Sequence, residues 1–124
     1  MKKNLLFLFS LALLSAEAQN TWVQKSSFTL GNRNWASSFS IGTKAYLCSG
    51  GVGSTSNYND LWEWDQSADT WTQKANHNGQ GRVRGIAFSI GTKGYFGSGF
   101  NASISTFYTD FYEWDQARAM SVRE

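Results

Sequence analysis

The side chains with the greatest chemical capacity come in pairs 49 or 50 positions apart: Arg33 with Arg82, Glu63 with Glu113, Asp65 with Asp115. A guanidinium presents a planar fork of donors matched to carboxylates, and paired carboxylates are the groups that acid–base catalysis uses. Here, however, each carboxylate is a whole repeat away from its mate. Lys44 and Lys93 are plausible cross-strand partners, so structural ion pairs are expected. Cys48 stands opposite Gly97 in the repeat, the position of a small buried residue rather than a nucleophile. One Cys and one His are too few for an ordinary zinc site. No Gly-rich phosphate loop or Ser-His-Asp constellation is readable. The chain is therefore expected to hold no catalytic residue, metal or cofactor, and not to be an enzyme.

The repeat behind these pairs organises the chain. Trp22-Val23-Gln24-Lys25 matches Trp71-Thr72-Gln73-Lys74, and Phe39 to Lys44 recurs unchanged as Phe88 to Lys93. Tyr46 falls on Tyr95 and Ser49-Gly50 on Ser98-Gly99. After one inserted residue, Asp60 to Gln66 (DLWEWDQ) meets Asp110 to Gln116 (DFYEWDQ). Within a unit, Ala36 to Ile41 reads as a strand ending at the tight turn Gly42-Thr43, with Ala45 to Cys48 returning. A polar loop follows from Gly53 to Asn59. Leu61 to Asp65 alternates, with Trp62 and Trp64 on one face, and Trp71 to Ala75 makes a fourth strand. No stretch after the leader has helical periodicity. Four antiparallel strands at a period near fifty predict an all-β fold built as blades of a β-propeller.

In these residues the chain resembles the kelch repeat: a Gly-Gly pair after the second strand (Gly50-Gly51), an aromatic followed by Asp in the third (Trp64-Asp65, and Trp114-Asp115 in the second unit), and a later Trp (Trp71). The second unit carries Gly97-Ser98-Gly99 instead, which predicts a turn differing in detail. The resemblance covers residues 21–116 and extends to exported kelch proteins of Bacteroidetes type. It implies a kelch-type β-propeller segment, with residues 19–32 an orphan outer strand (Thr21 to Lys25) plus loop, 33–81 a complete blade, 82–116 a three-stranded blade, and an incomplete ring. It also implies that Arg33 and Arg82, each thirteen residues ahead of the second-strand Tyr, rim a central channel and meet acidic ligands. The other reading of the same residues is that they bond loop carbonyls between blades. Trp35, His77 and Arg84 have no counterpart of the same type in the other unit and lie in loops leading to the inner strand. They complete the ligand-binding candidates, with Trp35 offering a stacking face to a sugar or peptide. The expected function is a binding module for a protein or glycan. The alternative is a fragment of a galactose oxidase-like or sialic-acid epimerase-like propeller enzyme, inactive alone.

Composition bounds the remaining possibilities. With 124 residues, 41% hydrophobic, 16% aromatic and 16% charged, the chain has room for one domain with a core. Its formal charge of +2 gives no electrostatic footprint for nucleic acid or an anionic membrane. Residues 1–18 read as a signal peptide: Lys2 and Lys3, the apolar run Leu5 to Leu14, then Ala16-Glu17-Ala18. That run is too short to span about 30 Å of hydrocarbon, so a secreted or periplasmic protein is expected, free of the membrane once the leader is removed. At the other end, residues 117–124 diverge. The repeat calls for Trp, Gln and Lys at 121, 123 and 124, where Ser121, Arg123 and Glu124 stand. The break predicts a fragment of a longer propeller; the rival is a homo-oligomer whose copies complete a ring, the strand at one end supplying the strand missing at the other.

Overall fold

The computed structural model describes residues 20–29 and 31–120; the expected leader and the last four residues of the tail lie outside them. Five-residue stretches of alternating character form the strands. In the first unit, β1 (Ser37–Ile41) and β2 (Lys44–Cys48) join through Gly42-Thr43, with Gly42 at φ 57 as a tight hairpin requires. The next two strands, β3 (Gly51–Val52) and β4 (Ser56–Asn57), make a separate short ladder inside the segment expected to be loop. The chain then returns through β5 (Leu61–Asp65) and β6 (Thr70–Lys74) to complete an antiparallel sheet of order β1-β2-β5-β6. The second unit repeats this with β7 (Ile86–Ile90), β8 (Lys93–Gly97), the short pair β9 (Phe100–Asn101) and β10 (Thr106–Phe107), and β11 (Phe111–Asp115). Its sheet has three strands, β11-β8-β7. Where a fourth would follow, the described residues form the short helix α1 (Gln116–Met120).

The two sheets stack as adjacent blades of an incomplete propeller-like, all-β fold. Period-two alternation turns Phe39, Ile41, Tyr46, Cys48 and Leu61 to one face of the first sheet. Phe96 of the second sheet closes on them, with Ala87, Tyr112 and Trp114 packed alongside. Inner strands meet along β1 and β7, where Ser37 Oγ donates to the Gly85 carbonyl at 2.6 Å. Gly94 lies so close to the Phe39 ring that a Cβ there would come within 2.1 Å of it. That proximity explains why an alanine in the first unit, Ala45, is a glycine in the second.

Two expectations need revision. The turn after the second strand does not differ between units. Ser49-Gly50 and Ser98-Gly99 adopt the same left-handed pair (φ 57 and 91 against 58 and 102), and the bridge Asn34–Gly51 has its counterpart in Val83–Phe100. The repeat aligns Gly51 with Phe100, so the conformation needs only one of the two glycines. At Gly50 a Cβ would meet Ala36 Cβ and Arg33 Cγ at 2.9 Å. The strand expected over Thr21–Lys25 is not formed either: those residues are irregular and exposed, because a strand needs a ladder partner. The segment that follows is seated. Ser26 N–H donates to Asp69 at 3.0 Å, Trp71 Nε1–H donates to the Ser26 carbonyl at 3.0 Å, and Phe28 packs edge-on against Trp62 and Trp71.

The motif residues shared with the kelch pattern act as scaffold. Asp65 accepts from Ser67 N–H at 2.8 Å and Ala68 N–H at 3.2 Å, closing the β5–β6 turn, and pairs with Lys44. Asp115 accepts from Ala117 N–H at 3.0 Å at the corresponding point. Trp64 faces Trp71 across the ladder and donates to Asp69 at 2.9 Å, while Trp114 packs 6.2 Å from Tyr46 between the blades.

Candidate binding rim

Each unit carries a buried arginine just ahead of its inner strand. Arg33 forms a fork to Asp60 (2.6 and 2.7 Å), donates to the Ser49 carbonyl at 2.9 Å, and lies 4.4 Å from the Tyr58 ring. Arg82 does the same with Asp110, the Ser98 carbonyl at 3.1 Å and the Tyr108 ring at 4.0 Å. Its side chain is 0% exposed. The hydrogen bond from Arg82 holds the Asp110 carboxyl down at about 2. Arg82 also ties the units through its backbone: Gly50 N–H donates to its carbonyl, and its own N–H donates to the Tyr58 carbonyl. The ligand-facing role expected of Arg33 and Arg82 is therefore corrected. A bidentate carboxylate and a carbonyl from their own unit occupy the terminal nitrogens of both guanidiniums, Arg82 Nε–H donates to the Gln80 carbonyl at 3.0 Å, and only Arg33 Nε, which is buried, is left without a hydrogen-bond partner. Asp60, Asp110, Tyr58 and Tyr108 complete these clamps. All four recur at an offset of 50, which is the signal that could have paired them with the arginines.

His77 is also internal. Its ring lies between Phe96 (5.0 Å) and Tyr112 (5.1 Å), with Nε2 2.9 Å from Ser49 Oγ. Nδ1 accepts from Gly79 N–H at 3.1 Å, so the neutral tautomer carries its proton on Nε2. Burial first, and then the nearby Arg82 charge, pull its pKa down to about 4. His77 thus joins the blades as a neutral wedge and is withdrawn as a ligand contact. Together with Cys48, Phe96, Tyr112 and Trp114 it lines an apolar cleft of about 160 Å³ between the sheets. Burial pushes the Cys48 thiol up to about 12, which leaves it unreactive near neutrality. The paired carboxylates are bound as well: Glu63 accepts from Tyr46 at 2.7 Å and pairs with Lys74 at 3.2 Å, while Glu113 accepts from Tyr95 at 3.0 Å and pairs with Lys93. Among the described residues no cluster of His, Cys, Asp and Glu could hold a metal, and no helix is long and apolar enough to cross a membrane.

Trp35 and Arg84 are different. They occupy the same position in consecutive units, so stacking of the blades brings them together. The Arg84 guanidinium carbon lies 4.6 Å from the centre of the Trp35 ring, and Arg84 N–H donates to the Trp35 carbonyl at 3.0 Å. Both residues are exposed, Trp35 by half. Both also sit in the left-handed backbone region, at φ 52 and 59, which costs a non-glycine residue about 1–2 kcal/mol. A shallow cleft of about 120 Å³ is lined by Asn32, Arg33, Asn34, Gly51 and Val52, beside Trp35 in sequence. An aromatic face and a solvent-facing guanidinium held by a strained backbone can receive a flat apolar surface together with an anion.

A four-stranded and a three-stranded sheet, stacked and each accompanied by a short separate hairpin, place the chain in the β-propeller class, as a segment of a ring. Among solved structures it is similar to the kelch-type propeller protein YjhT. The likeness has a TM-score of 0.67 at 17% identity, and spans 80% of this chain and 40% of that one. The chain therefore corresponds to less than half the length of that protein. No protein-family model and no curated protein sequence matches it.

Proposed function

We propose that this chain is a segment of an exported kelch-type propeller that binds an acidic glycan or protein ligand, and that Trp35 and Arg84 form the contact. The observation that carries this reading is the exposed Trp35–Arg84 stack: it is the one place among the candidate residues where an aromatic face and a guanidinium lie in solvent without a carboxylate partner. An exposed arginine on tryptophan gives a ligand both a stacking surface and a charge-assisted donor. The carboxylates that an enzyme reading would enlist, Glu63 and Glu113, are each held by a tyrosine and a lysine, which favours binding over catalysis.

The test is capture of the chain on an immobilised panel of neutral oligosaccharides, uronate-bearing oligosaccharides and acidic peptides. Trp35→Ala is expected to lower retention at least tenfold on whichever members bind. Arg84→Ala is expected to lower it selectively on the acidic ones. Both side chains are exposed, so both variants keep the wild-type melting temperature. Equal retention by wild type and both variants would remove the rim from the function.

A further inference from the structure

The second blade presents outward the surface that the first blade buries. Phe39, Ile41 and Leu61 are 8%, 4% and 5% exposed against the second sheet; their repeat counterparts Phe88, Ile90 and Phe111 are 42%, 65% and 53% exposed. Beside that apolar face β11 has an open edge, since the second sheet has no fourth strand among the described residues. The segment that matches a fourth strand, Trp22-Val23-Gln24-Lys25, stands exposed and unpaired at the other end of the molecule.

The residues just after that segment are already positioned for a blade that is not there. Phe28 corresponds to His77 in the repeat. His77 packs on Tyr112 as the chain passes from β6 into the second blade, and Phe28 packs on Trp62, the counterpart of Tyr112. The chain thus reaches the first blade along the same path by which it reaches the second. Residues 22–25 are left behind the first blade, on the side away from β11. Because Ser26 is fixed there by Asp69 and Trp71, they cannot reach β11 of their own molecule without leaving that seat.

From this geometry we infer a head-to-tail interface between copies of this chain, in which Thr21–Lys25 of one copy adds to β11 of the next as the fourth strand. The observed β5–β6 ladder gives the register. Glu63 opposite Thr72 and Trp64 opposite Trp71 place Glu113 opposite Val23 and Trp114 opposite Trp22. Lys25 then takes the place of Lys74, which pairs with Glu63 at 3.2 Å, and supplies a second cation to Glu113. The exposed Phe88, Ile90 and Phe111 are covered by the Trp62–Trp64 face of the neighbouring first blade, which corresponds to the face that Tyr112 and Trp114 present to Phe39 and Leu61. An interface that joins unlike surfaces propagates, and closes when the rotation returns to its start. At about 4–8 blades to a propeller, two to four copies close the ring. The inference is independent of the ligand assigned to the rim.

The experiment combines mass with a cross-link. Light scattering of the full chain on a sizing column is expected to give roughly two to four times the protomer mass. Cross-strand Cα separations of about 4.5–5.5 Å lie within disulfide range, so Val23→Cys with Glu113→Cys is expected to give disulfide-linked multimers on mild oxidation. Val23→Cys with Tyr95→Cys, which are not paired in this register, is expected to give none. Val23→Pro with Gln24→Pro, which removes successive N–H groups and hence the one facing β11, is expected to return the mass to that of one protomer. These positions are exposed and outside every strand, so the protomer still folds. A monomeric wild-type chain, or an assembly in which the 23/113 pair forms no disulfide, overturns the inference. An occupant other than a second copy, such as further blades of a longer polypeptide, would give that result.

Discussion

The two blades carry nearly the same residues at the same positions and have different surroundings. Phe39 and Phe88 both sit at the centre of an inner strand and stack on the second-strand tyrosine, at 4.8 and 5.4 Å. Yet only the first blade is covered, and the contrast extends to ionisation. Tyr46 is pushed well above the usual phenol range, first by burial and then by its hydrogen bond to Glu63. Tyr95 makes the equivalent bond to Glu113 and is raised chiefly by that bond. The arginine clamps repeat in geometry, each guanidinium forked to an aspartate of its own unit, even though Asp60 is 13% and Asp110 36% exposed. Local hydrogen-bonding units are therefore built into each repeat, whereas the hydrophobic contribution of a blade depends on its neighbour.

Three perturbations test that contrast. The largest effect is expected from truncating the aromatic on the inner strand, measured by denaturant unfolding on the Val23→Pro, Gln24→Pro background so that copies do not cover one another. Phe39→Ala should cost about 3–5 kcal/mol and Phe88→Ala under about 1 kcal/mol. Equal costs would show that the second face is covered in the protomer too. Next comes pH. His77 is neutral in the folded chain, with its pKa lowered to about 4 from 6.5. The unfolded chain takes up this proton first, so the contribution of neutral His77 is complete above about pH 6.5 and is lost as pH falls toward 4. At about 1.4 kcal/mol per pK unit, the full shift corresponds to at most about 3.5 kcal/mol, and solvent screening at this half-buried ring makes the loss smaller. A His77→Phe chain, compared with wild type by thermal melts across that window, should lack this component. An unchanged slope would mean that His77 is not held neutral between the blades. The smallest effect is expected from removing one hydroxyl: Tyr46→Phe should cost about 1–3 kcal/mol because it strands a buried carboxylate partner, and Tyr95→Phe under about 1 kcal/mol because water can replace the bond to Glu113.

Much of the fold was legible because the repeat is dense. Turn residues such as Gly42 and alternation such as Leu61 to Asp65 place strands within one residue of where they form, and the Lys44–Asp65 pairing follows from their register. The short β3–β4 and β9–β10 ladders were not legible. Two-residue strands in polar sequence carry no periodicity, and side-chain contacts such as Asn57 Nδ2 to Asn101 Oδ1 at 3.2 Å join the two hairpins across the blades. The site was legible only in part. Arg33 and Arg82 stood out as repeated cations, but whether a guanidinium meets a ligand or a carboxylate depends on Asp60 and Asp110, 27 and 28 residues away. His77 looked like a free polar residue in a loop and is wedged between two aromatic rings of the next blade.

What the sequence determined by itself is the unit: strand order, tight turns, the Arg–Asp–Tyr clamp positions and the alternation that gives each sheet an apolar face, all set by interactions within one repeat of about fifty residues. What only the tertiary structure decided is which copy of that face is buried and which of the singled-out side chains remain in solvent. Burial depends on what stacks against a sheet, and apart from substitutions such as Ala45 against Gly94, where Phe39 packs, the two repeats carry the same apolar face. Trp35 and Arg84 became a candidate site because stacking brought one position of two successive units together and left both side chains exposed.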